Sequence, residues 1–116
     1  MTDFSKGFKG YEKAEDIHGQ IRLCKGENLD MLHLKNMNFN FACSYTVPQA
    51  KEVKKILDRE GVKALSLWVS EETEPSAAVE LASVYGVEYI VAENEETKNR
   101  LLASGSSFTV ITEEET

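Results

Sequence analysis

No apolar run in this sequence approaches the roughly 20 residues that a bilayer-spanning helix needs. The opening residues MTDFSKGFKGYEKAED lack the apolar stretch of a secretory signal. A membrane partner is therefore not expected, and a soluble cytoplasmic protein is. Cysteine is scarce: Cys24 and Cys43 are too few for a disulfide framework and form no CxxC pair, so both are expected as free thiols. The two histidines, His18 and His33, stand at spacings from those cysteines that match no local zinc motif. Neither GxGxxG nor the GxxxxGK pattern of a phosphate loop occurs, which leaves no glycine cradle for a nucleotide. No cofactor, no metal and no catalytic residue is assigned.

Basic residues are thin in one half of the chain. Residues 1–60 hold ten Lys and Arg against nine Asp and Glu, whereas residues 61–116 hold three against eleven, every one a glutamate. A net charge of −7 placed in this way repels a phosphate backbone, whose binding needs clustered Lys and Arg, so nucleic acid is not expected as a partner. The lysines and aromatics of FSKGFKGYEK are offset by nearby acids, and residues 1–16 read as a flexible terminal segment.

What is present suits one domain. A chain of 116 residues with 41% hydrophobic content can bury a single core. Three times the sequence passes from a helical pattern through a glycine into a short apolar run. In the first unit Thr46 and Gln49 have capping-box spacing, Pro48 falls in the first turn, and Gly61 closes the helix. In the second, Pro75 opens a helix whose Ala78, Leu81, Ala82 and Tyr85 share one face, and Gly86 ends it. In the third, Leu101 and Leu102 anchor a helix before Gly105. The runs that follow, residues 64–69, 87–92 and 108–111, suit parallel strands joined by crossovers.

Upstream, GQIRLCKGENLDMLHLK reads as a β-hairpin turning at Gly26, Glu27 and Asn28. Alternation in this reading turns Cys24 away from Ile21 and Leu23. The strict alternation of NMNFNFACSY reads as one half-exposed strand with Met37, Phe39, Phe41, Cys43 and Tyr45 on its apolar side. The expected architecture is a single α/β sandwich over residues 17–112. It has a mixed, mostly parallel sheet of five to six strands, three helices and an N-terminal hairpin, with residues 113–116 as an acidic tail.

If the strands after Gly61 and Gly86 are parallel neighbours, the turns that follow them emerge together where open α/β sheets hold ligands. Ser70, Glu71, Glu72, Thr73, Glu93, Asn94 and Glu95 would then form a ligand-binding rim. The same glutamates sit at helix starts, where the helix dipole favours them by about 0.3–1 kcal/mol without any function.

Glu27 after Gly26, Leu29 before Asp30, the Glu74–Pro75 helix start and the Gly86–Val87 strand start resemble the DRTGG-type domain. That small α/β module is similar to the N-terminal part of HPr kinase/phosphorylases. The resemblance spans residues 14–104 and implies a ligand-sensing or interaction module; the glycine-rich stretch that names the family has no counterpart. The expected function is a non-catalytic binding or regulatory module with a protein or small-molecule partner. Bulky Phe39 and Phe41 on a half-covered strand point to homodimerisation. Two other classes stand beside this one: an acidic inhibitor that fills a basic groove or imitates nucleic acid, and a small enzyme.

Overall fold

The computed structural model describes residues 7–115. Four α-helices form among them, three of them where a side-chain cap meets an apolar stripe. In α1 (Ile17–Gly26) the Asp16 carboxylate accepts from the Gly19 N–H at 2.8 Å, and Ile17, Gln20, Ile21 and Cys24 are buried at i, i+3, i+4 and i+7. α2 (Val47–Glu60) opens on the Thr46–Gln49 capping box and closes on Gly61 at φ 72°. α3 (Pro75–Tyr85) begins with proline and ends at Gly86, φ 75°. α4 (Glu95–Ala103) is capped by Asn94.

Six strands follow in chain order: β1 (Met31–Leu34), β2 (Asn36–Met37), β3 (Asn40–Phe41), β4 (Lys63–Val69), β5 (Tyr89–Ala92) and β6 (Thr109–Thr112). β1, β4, β5 and β6 make one parallel sheet in that order, while β2 and β3 pair antiparallel as a separate small hairpin. All four helices cover one face of the sheet. Their apolar stripes join Leu32, Leu34, Ala64, Leu67, Val69, Ile90, Ala92 and Val110 in the main core. A second cluster of Leu65, Trp68, Tyr89 and Val91 lies on the opposite face and contains no helical residue.

An irregularity in β4 decides which side chains reach that second face. Leu32 pairs with Ala64 but His33 pairs with Ser66, so Leu65 is an extra residue in the β1–β4 ladder. The alternation therefore slips by one. Ala64 faces the helices, whereas Ser66 and Trp68, which would otherwise follow it, join Leu65 on the other side.

The outer edge of β1 is paired by the chain ahead of α1. The Phe8 N–H donates to the Met31 carbonyl at 2.9 Å, and the His33 N–H donates to the Phe8 carbonyl at 3.1 Å. Residues 1–6 of the segment read from sequence as flexible lie outside the described residues. At the other end, Glu113–Glu115 form a 3-10 turn in which Glu115 accepts from Lys98 Nζ at 3.0 Å and from Thr112 at 3.1 Å. Those contacts hold the Glu115 carboxyl below its usual range, with the Lys98 hydrogen bond the largest cause.

Several expectations are corrected. Of the expected N-terminal hairpin the second strand is β1, but the first is α1. Its apolar residues repeat at helical spacing, so Cys24 lies with Ile21 in the core and Leu23 is the exposed one. The NMNFNFACSY stretch is not one strand. Asn38 and Phe39 both take positive φ, 52° and 69°, which folds it into the β2–β3 hairpin, and a 3-10 turn at Ala42–Ser44 follows. The main sheet is parallel throughout rather than mixed, and the helices number four rather than three. Leu101 is buried as expected, but Leu102 is 48% exposed.

Tyr85 ties the layers together: fully buried, its hydroxyl donates to the Ala42 carbonyl at 3.0 Å. Burial, then the neighbouring Tyr45 and Cys43, push its pKa well up. A folded-state pKa above the unfolded value near 10 gives stability that is present below about pH 10 and lost as pH rises past it. Tyr85→Phe is expected to cost about 1 kcal/mol at neutral pH by removing the shorter of the two hydrogen bonds that the Ala42 carbonyl accepts, the other coming from the Tyr45 N–H. It should also make the alkaline fall in stability shallower. Urea unfolding at pH 7 to 11 measures both.

Candidate functional site

The carboxyl ends of β4 and β5 are side by side; six of the seven rim residues named from sequence lie on the turns that leave them, and Glu95 opens α4. The Glu93 carboxylate accepts the Glu71 N–H at 2.8 Å, and the Asn94 amide donates to the Glu71 carboxylate at 3.1 Å. Asn94 also caps α4, its oxygen accepting from the Thr97 N–H and hydroxyl, each at 2.9 Å. The Arg100 guanidinium donates to the Glu71 carbonyl. Three of the seven thus form one network whose bonds satisfy the rim's own backbone and α4. Ser70 and Thr73 form a second, their hydroxyls 2.9 Å apart, with the Thr73 hydroxyl donating to Cys43 Sγ at 3.2 Å. Glu72 and Glu95 are exposed and belong to neither network.

Two features limit this rim as a small-molecule site. The strands run in chain order across the sheet without reversing, so there is no switch point at which successive loops diverge to open a crevice. Among the described residues, no group of three or more His, Cys, Asp or Glu is arranged to hold a metal ion.

A wider concavity lies one loop further along. The turn after β4 and the segment after β3 border a shallow groove of about 490 Å³. Its lining combines the apolar Phe41, Tyr45, Val47 and Leu81 with the acidic Glu72, Glu74 and Glu80. At its border the β2–β3 hairpin is braced by backbone and side-chain bonds. Gln20 Nε2 donates to the Asn36 carbonyl at 2.9 Å, Tyr45 Oη to the Met37 carbonyl at 2.7 Å, and the Asn38 N–H to the Glu15 carbonyl. The Phe41 ring packs on Trp68 with centroids 5.1 Å apart. Phe39, at the tip, is 83% exposed and in the left-handed region. A bulky L-residue there is strained by about 1–2 kcal/mol, and nothing in the fold compensates by burying it.

The remaining chemistry-bearing residues are placed apart from the rim. His33 Nδ1 lies 2.6 Å from Ser66 Oγ, both residues 2% exposed. Gly7 lies so close over the imidazole that an added Cβ would stand 2.5 Å from Nε2. Sequence reasoning missed this pair, and also Lys35, whose ammonium lies 4.8 Å from the Trp68 ring centroid and 5.4 Å from that of Tyr11. The pairing depends on the slip at Leu65, for which the sequence carries no local signal.

No protein-family model matches the chain, and no curated protein sequence matches it.

Asn94 is the hinge of the rim. Asn94→Ala is expected to lower stability by about 1–2 kcal/mol through loss of the α4 cap. It should also speed amide exchange at Thr97, measurable by hydrogen–deuterium exchange.

Proposed function

We propose that the protein is a non-catalytic interaction module that receives a basic, partly apolar segment of another protein, with Phe39 as the anchor and the neighbouring groove as the bed. The observation that carries this reading is Phe39 itself. A strained aromatic on a braced hairpin is retained at a cost in stability, and such outliers cluster at functional sites. Exposed aromatic anchors supply a large share of binding energy when a partner pocket closes over them. Glu72, Glu74 and Glu80 give the groove the sign that attracts Lys and Arg, in keeping with the net charge of −7. Catalysis draws no support from the Ser66–His33 pair, which lies under Gly7. A regulatory role accords with the resemblance to DRTGG-type domains. An inhibitor filling a basic groove is the special case in which the partner is an enzyme. Self-association through the same hairpin is the competing outcome.

Phe39→Gly separates stability from binding. Glycine suits the second central position of a two-residue turn with positive φ, so this variant is expected to gain up to about 1 kcal/mol in stability. It should lose at least tenfold in affinity for lysine-rich amphipathic peptides, read from amide shifts at Phe41, Glu72 and Glu80. Acidic peptides should not bind either protein. Unchanged affinity in Phe39→Gly rejects the reading, and concentration-dependent sedimentation without peptide binding moves it to a homodimer.

A further inference from the structure

We propose that the cleft on the helix-free face of the sheet binds a small aliphatic carboxylate, and that Glu113 holds the anion position until such a ligand displaces it. The cleft contains about 20 Å³ of open space beside Lys35, Trp68, Ser66, His33, Tyr11 and Glu113, which is room for about one water molecule. A ligand carboxylate must therefore take the volume that the Glu113 carboxylate now fills. Lys35 Nζ is 3.0 Å from Glu113 Oε1 and lies near the faces of both Trp68 and Tyr11. The ammonium is thus positioned by two rings as well as by its counter-ion.

The two partners differ in exposure and in the element that carries them. The Glu113 side chain is 41% exposed and belongs to a three-residue turn, while that of Lys35 is 29% exposed and follows β1 directly. An exposed ion pair of this kind is weak and open to exchange. The Trp68 indole N–H supplies a second, independent pointer. Trp68 is 8% exposed, and its Nε1 has no hydrogen-bond acceptor. A buried donor without an acceptor is unfavourable, and an incoming carboxylate has two oxygens, one for Lys35 and one for such a donor. Ser66 is already engaged with His33, so the polar wall behind the site is preformed.

Trp68 is the single tryptophan of the chain, so its emission reads this cleft directly. Sodium acetate and sodium propionate, titrated at constant ionic strength, are expected to give a saturable change that sodium chloride does not. Glu113→Gln removes the internal competitor and should tighten acetate binding about fivefold. Glu114→Gln, which removes an exposed charge of the same sign one residue away, should leave that affinity unchanged. Lys35→Gln should abolish the response, with its thermal melt confirming that it folds. If Lys35→Gln does not fold, the comparison of Glu113→Gln with Glu114→Gln decides. Equal affinity in those two variants overturns the proposal. So does an acetate response no larger than the chloride response in wild type and Glu113→Gln, or tighter binding of inorganic phosphate than of acetate.

Discussion

The molecule is organised by the one-sidedness of its sheet. Four parallel strands taken in chain order, each reached through a helix, place every helix on the same face. That face is sealed by long apolar stripes. The other must be covered with what remains: the chain around Gly7 and Tyr11, the Phe41 ring and the terminal acidic turn. A helix can seal a sheet with a continuous stripe, whereas short irregular pieces leave polar groups and small spaces among the apolar ones. The buried Ser66–His33 pair and the unpartnered indole of Trp68 both lie on this less regular side.

Acidic residues act differently at three places along the chain. On the turns after β4 and β5, Glu71 and Glu93 accept hydrogen bonds from the rim itself, so part of their capacity for an outside cation is already used. Beside the groove, Glu72, Glu74 and Glu80 contribute field rather than contacts. In the terminal turn, Glu113 and Glu115 reach Lys35 and Lys98 and draw the end of the chain against the sheet. Composition alone sums these into one negative charge. The fold divides them into a structural set, an electrostatic set and a clasp.

Legibility followed the strength of local signals. The three units from Thr46 onward were readable because a capping box, prolines in two first turns and αL glycines act within a few residues, and the helical stripe of Ala78, Leu81, Ala82 and Tyr85 has a single interpretation. Parallel neighbours followed from the apolar runs, and six of the seven rim residues were placed on the correct turns for that reason. Within the first forty-five residues the strand at Met31–Leu34 was readable, but the segments on either side of it misled because periods of two and of 3.6 overlap in short stretches. Ile21, Leu23 and Cys24 fit a strand alternation until Ile17 and Gln20 are counted with them. The positive φ of Phe39 could not be foreseen, since an aromatic is among the poorer occupants of that region. The slip at Leu65 was equally hidden, because Ala64 to Val69 is apolar apart from Ser66 and offers no contrast to fix the register.

The two margins of the sheet are finished unlike each other. Along β1 the chain around Phe8 takes up backbone groups that would otherwise template an additional strand. Along β6 no described segment does so, yet the strand is four residues long and runs straight into three consecutive glutamates. A short margin ending in like charges offers an approaching copy few backbone bonds and mutual repulsion. The C-terminal acids therefore also act as gatekeepers against fibril-like stacking.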